Sequence, residues 1–168
     1  MTLIERISTD YLIREDQLHQ CHQCSHITMS YLHQNLTNKI IKAYYKVYNT
    51  LGYGFLEKVY QKAMLIELRN MGLSCMEEMP VKVYYDGSNV GDYRADIVVN
   101  EIVIIENKAS ETLCEEDEFQ LINYLKATEI EVGLLLNFGK KPEFKRKIFT
   151  NDRKKWNTDD SDKTDYHR

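Results

Sequence analysis

No stretch of this 168-residue chain is apolar for long enough to cross a bilayer, which takes about 20 consecutive apolar residues. The opening residues carry Glu5, Arg6 and Asp10 and lack the apolar core of a secretory signal. A cytoplasmic location is therefore the default expectation. A surplus of positive charge is also missing: the formal net charge is -4, so the overall balance is not that of a nucleic-acid binder, although a local basic face would suffice for one. Only four cysteines are present, Cys21, Cys24, Cys75 and Cys114, and without a secretory signal no disulfide framework is expected. Cys21 and Cys24 have a C-x-x-C spacing beside His19, His22 and His26, a set that zinc can use. A structural zinc site needs a second, well-separated ligand pair, and none appears, so the segment reads as a polar extension rather than a zinc site.

What remains is an ordinary globular balance, 43% hydrophobic and 29% charged, in a chain long enough to bury its own core. Three regions are expected: a polar extension over 1–36, an α/β domain over 37–149, and a charged, apolar-poor tail over 150–168. In the middle region Thr37 reads as an N-cap, and Ile40, Ile41, Tyr44, Val47 and Tyr48 recur at helical spacing up to Gly52. A second helix is predicted from Phe55 to Met71, with Leu56, Val59, Tyr60, Ala63 and Leu68 inward. The period then changes. Val81 to Tyr85 alternates as a half-buried strand, Asp86 to Asn89 is a turn, and Tyr93 to Val99 and Ile102 to Ile105 are near-continuous apolar strands. Thr112 and Glu115 fit a capping box for a helix that carries Phe119, Ile122 and Leu125 inward. Val132 to Leu136 is a further buried strand, and Pro142 suits the first turn of a last helix. Three strands, a crossover helix and a fourth strand imply a mixed sheet with helices on both faces.

Asp96 lies within an apolar strand. Glu106 and Lys108, two residues apart at the end of the next, share one of its faces. Buried carboxylates require neutralisation, and a divalent cation such as Mg²⁺ or Mn²⁺ supplies it. A metal-bound water beside a phosphodiester becomes a nucleophile, and an ammonium alongside orients that water or stabilises phosphoryl charge. Taken singly, each residue is equally well read as a strand-end cap or a surface ion pair; together they point to phosphodiester hydrolysis. The arrangement carries a register condition. A strict two-residue hairpin at Asn100-Glu101 would set Asp96 opposite Ile105 and leave Glu106 on the wrong face. A shared metal requires a three-residue connection including Ile102, or a bulge near Asp96.

The blocks Gly54-Phe55-Leu56-Glu57-Lys58-Val59-Tyr60, Tyr93-Arg94-Ala95-Asp96, Glu106-Asn107-Lys108, Gln120 to Lys126 and Leu136-Asn137-Phe138-Gly139 resemble, in order, those of the GxxExxY protein family, a branch of the PD-(D/E)xK nuclease superfamily. The resemblance covers roughly 37–149. It implies a restriction-endonuclease-like three-layer α/β fold with an α-β-β-β-α-β core. It further implies that Asp96 and Glu106 are metal ligands, that Lys108 is the catalytic lysine, that Glu57 is an additional acidic residue and that Gln120 is a polar residue near the site. Asp96 follows alanine rather than the proline of the superfamily's name, Asn107 stands where an apolar residue is expected and should point away from the site, and Asp117 stands where the family commonly has histidine. Arg94, two residues before Asp96, should face the same way and bind phosphate or balance the acids, the bland alternative being a surface ion pair. Lys140, Lys141, Lys145, Arg146 and Lys147 form the best candidate for phosphate contacts, with a solvated charged face as the equal alternative.

Three functions stay open on these residues: a Mg²⁺-dependent nuclease acting on nucleic acid, with DNA foremost; a non-catalytic member of the fold that binds nucleic acid or protein; and a hydrolase of smaller phosphate esters.

Overall fold

The first helix forms because Ile40, Ala43, Tyr44 and Val47 recur on one stripe, and all four are buried. The computed structural model describes residues 32–154; from His33 onward they belong to one compact unit. Helix α1 spans Gln34–Leu51, α2 Glu57–Asn70 and α3 Glu115–Lys126; the strands are β1 Cys75–Tyr85, β2 Ser88–Val99, β3 Val103–Lys108, β4 Val132–Asn137 and β5 Glu143–Ile148. Cys21, Cys24 and most of the charged tail lie outside the described residues. No helix among the described residues is long and apolar enough to cross a membrane.

The strands lie in the order β1-β2-β3-β4-β5 in one sheet. β3 and β4 are parallel, as the intervening helix allows, and the other neighbours are antiparallel. β4 is buried at every position, so both faces of the sheet are covered. On one face Ile104 and Leu135 pack with Leu121, Tyr124 and Leu125 of α3. On the other, Phe138 stacks on Tyr60 of α2, with ring centroids 4.3 Å apart, and meets Tyr44 of α1 edge-on. This is the mixed sheet flanked by helices of the restriction-endonuclease-like α/β class.

Several local expectations give way. Thr37 is inside α1, bonding back to Gln34 O at 3.0 Å, and the N-cap is His33 with φ 56°. Leu56 and Val59 are exposed, because the inward stripe of α2 is Tyr60, Gln61, Met64, Leu65 and Leu68. Phe119 is likewise exposed, and the helix after the lysine strand begins at Glu115, with Cys114 N–H donating to Asp117 Oδ2 at 3.1 Å in place of a Thr112–Glu115 box. The segment after Pro142 is strand β5, not a helix. Its carbonyls and N–H groups complete the open edge of β4, a tertiary demand that outweighs the helical suitability of a proline. Glu143, Lys145 and Lys147 alternate there with Phe144, Arg146 and Ile148, a period of two.

Candidate active site

The β2–β3 connection meets the register condition. Asn100 and Glu101 both have positive φ, and Ile102 N–H closes the turn onto Val99 O at 3.0 Å. Ile102 is then an extra residue: pairing resumes as Val99 with Val103, Val98 with Ile104 and Ile97 with Ile105. Continued by one step, this register sets Asp96 opposite Glu106. β2 is also irregular at Asp96 itself. Ala95 and Val98 both pack in the α3-side cluster, so the strand changes face between them. The pair that would join Glu78 to Asp96 is missing from the ladder, and Glu78 has φ 51°.

Beyond the last ladder pair, the Asp96 carboxylate takes over the role of a strand carbonyl. Its Oδ2 accepts the Asn107 backbone N–H at 2.8 Å and the Asn107 side-chain amide at 3.3 Å. The Asn107 side chain thus serves the site instead of pointing away from it. Gln61, one helical turn beyond Glu57 on α2, donates to Asp96 O at 2.9 Å; its one signal in the sequence is the four-residue spacing from Glu57.

Glu106 is 4% exposed, and its Oε2 is buried with no hydrogen-bond partner. Burial first, then repulsion from Asp96, pushes its carboxyl from an ordinary 4.5 up to about 8; Lys108 and the Asp96 backbone N–H pull the other way and lose. Lys108 lies on the same face as Glu106, toward α3, with its ammonium 3.6 Å from Glu106 Oε1 and 3.5 Å from Asp117 Oδ1, donating to Gln120 Oε1 at 2.8 Å. Burial lowers the affinity of that amine for its proton, but Glu106, Asp117 and Glu57 together outweigh it and hold the ammonium charged. Gln120 in turn donates to Tyr124 OH at 2.8 Å. Asp117, which no family resemblance marked as acidic, is thus part of the lysine's cage.

Glu57 reaches this end of β3 from the opposite face of the sheet. Its Oε1 accepts the Ala109 N–H at 3.3 Å, next to Lys108, rather than joining Asp96 and the buried Glu106. The approach to it is shaped by its neighbours: Gly54 has φ 104°, open only to glycine at low cost, and Tyr60 OH accepts Phe55 N–H and donates to Gly52 O. On the far side of Lys108, Asn137 pairs through its amide with both backbone groups of Ser110 at 3.1 and 3.0 Å, and a Cβ on Gly139 would lie 2.0 Å from Ser110 O.

The other candidates stand apart. Arg94 lies between Tyr93 and Ala95 and points away from the α3 side, its guanidinium 3.8 Å from Glu78. Lys140 is 3.9 Å from Glu111, and Lys141 is exposed beyond β4. Lys145 and Lys147, on β5 rather than on a helix, both bind Glu118 of α3.

Among the described residues no group of three His, Cys, Asp or Glu side chains converges closely enough to cage a metal. A hard cation that keeps its waters needs only one or two carboxylates from the protein. The orphaned Glu106 oxygen beside Asp96 fits that demand.

A family model described as the PD-(D/E)XK nuclease superfamily matches residues 34–147. No curated protein matches the chain at the significance required. Among solved structures, the crystal structure of SSO0001 is similar at 17% identity and a TM-score of 0.46, covering 56% of this chain and 50% of that one, so this chain spans half the length of that relative. With two thirds of its length matched by the family model, the chain belongs to the PD-(D/E)XK nuclease superfamily.

Proposed function

We propose that this protein is a metal-dependent nuclease of the GxxExxY branch, hydrolysing phosphodiester bonds in nucleic acid, with DNA as the first substrate to test. The observation that carries the reading is the buried, unpartnered Glu106 oxygen beside Asp96, within reach of an ammonium. Asp96 and Glu106 would hold Mg²⁺ or Mn²⁺, which when bound supplies a water activated for attack and a Lewis acid for the phosphoryl oxygens.

The rest of the chemistry belongs to the chain. Asn107 fixes one Asp96 oxygen through two N–H donors, so the carboxylate presents its other oxygen without rotating. The Lys108 ammonium, held by Gln120 and Asp117, places positive charge where the attacking oxygen and the phosphoryl group accumulate negative charge. Glu57 stands at the rim of the same strand end, where it can accept a proton or orient a water outside the Asp96–Glu106 pair.

A second reading, a non-catalytic binding protein, draws on one observation: Arg94, Lys140, Lys145 and Lys147 are engaged with acidic side chains, which leaves few cations for phosphates. Labelled single- and double-stranded DNA incubated with the purified protein in Mg²⁺, Mn²⁺ or EDTA separates the two. Cleavage should require metal and should drop roughly 10²–10³-fold in Lys108→Ala, the cost of removing one charge-stabilising donor. Cleavage that persists in both Lys108→Ala and Asp96→Ala would remove the nuclease reading, and metal-independent binding without turnover would favour the second.

A further inference from the structure

Exposed aromatic side chains flank the candidate site on both sides. Tyr53 and Phe55, 57% and 49% exposed, sit on the turn that leads into Glu57, followed by the exposed Leu56 and Val59. On the other flank Tyr93 is 53% exposed, its ring 6.2 Å from that of Tyr124. Tyr124 accepts from Gln120, which accepts from Lys108, so a continuous chain of contacts links the exposed Tyr93 ring to the ammonium. Exposed apolar groups gathered in one segment mark a binding surface more often than chance.

The state of the basic side chains limits what kind of nucleic acid can bind. Lys58 binds Glu78 and lies 3.8 Å from Glu77, and Arg94 lies 3.8 Å from the same Glu78. Lys140 is near Glu111, Lys145 and Lys147 bind Glu118, and Lys154 is turned onto the carbonyls of Thr128 and Ile130. Duplex nucleic acid presents its stacked bases inward and its phosphates outward, so its affinity comes chiefly from neutralising phosphates with available cations. Here these six side chains are already engaged, and of the expected phosphate set Lys141 stays exposed. Unstacked nucleotides present their faces, and aromatic rings bind those faces without regard to sequence.

We infer that the substrate is single-stranded or frayed nucleic acid, bound by stacking of unpaired bases on Phe55 and Tyr53 on one side of the scissile phosphate and on Tyr93 on the other. The inference rests on the nuclease reading of the same site.

The test is fluorescence anisotropy with a labelled single strand of roughly 15 nucleotides and its blunt duplex, using Ca²⁺ in place of Mg²⁺, alongside cleavage of both in Mg²⁺. The wild type should bind the single strand at least tenfold more tightly, with a salt slope matching about two phosphates or fewer. Phe55→Ala and Tyr93→Ala should each weaken binding roughly 5- to 150-fold, the range for loss of one stacked base. Tyr93→Phe, which keeps the ring, should retain affinity, and Tyr93→Leu, which keeps apolar bulk and packing but not the ring, should lose it. Equal or tighter duplex binding, or affinity unchanged in Tyr93→Leu and Phe55→Ala, overturns the inference while metal-dependent cleavage of either DNA leaves the nuclease reading standing. A protein that neither binds nor cuts either DNA overturns both.

Discussion

At Glu106 burial and the Asp96 charge act in the same direction, and the consequence is measurable without any substrate. Its folded pKa, about 8, lies above the ordinary 4.5. The folded protein therefore holds a proton that the unfolded chain releases. Stability from this group is fully present below about pH 4.5 and is lost as pH rises through about 8. In EDTA the melting temperature should fall across that window, and Glu106→Gln should flatten the fall; an unchanged slope in the variant would show that the carboxyl is not the group responsible. Tyr60 sets a second test at this scale. Its hydroxyl both accepts Phe55 N–H and donates to Gly52 O, so Tyr60→Phe leaves two backbone groups without that partner. A loss of about 1–3 kcal/mol is expected from urea unfolding, with faster amide exchange confined to the turn before α2. Asp117 and Gln61 show why residue identity alone underdetermines a site: each acts only through a partner, Lys108 or the Asp96 carbonyl, that comes from a different element.

Among the elements, the extra residue in the β2–β3 connection matters more than any single acidic side chain, because a one-residue slip would move Glu106 and Lys108 together to the opposite face of the sheet. That requirement was legible from counting alone: Asp96, Glu106 and a two-residue turn cannot be reconciled, so a looped or bulged residue had to exist, and Ile102 is that residue. The face change at Ala95 to Val98 was legible only as the alternative of a bulge near Asp96, since both positions are apolar and either orientation satisfies the pattern. It is also what turns Arg94 away from the acids. β5 failed for a related reason. A six-residue charged stretch after a proline carries both helical and strand periods weakly, and only the unfilled edge of β4 decides between them. The loop between β3 and α3 is held by Asn137 and closed against Gly139. Gly139→Ala should displace Ser110 and destabilise the fold by about 1–3 kcal/mol, read as a shift of the urea midpoint; a neutral effect would mean that the loop moves freely, and the positioning of Lys108 would then need another explanation.

For the whole molecule, two carboxylates brought together in a covered sheet make the apo-protein less stable than it would be with their charge neutralised, and a ligand that neutralises them couples binding to folding. At pH 8, Mn²⁺ at about 100 times its dissociation constant should stabilise the protein by about 2.7 kcal/mol, seen as a rise in melting temperature. Asp96→Asn and Glu106→Gln should each abolish the rise while leaving the apo-protein no less stable than wild type. A rise that survives both substitutions would place the metal elsewhere.

The amino-acid sequence by itself determined the alternation of elements up to β4, the buried strand that carries Glu106, and the shared face of Glu106 and Lys108, because these follow from periodicities of two and 3.6 that local geometry imposes on any chain. The tertiary structure decided how the acids meet. Asp96 and Glu106 are brought together by a turn's length, Glu57 reaches the strand end from the other face, and Asp117 and Gln120 close on Lys108 from a helix packed across β4. Those distances depend on how the sheet curves and where its edges are filled, and no local pattern encodes a contact between residues held by different elements.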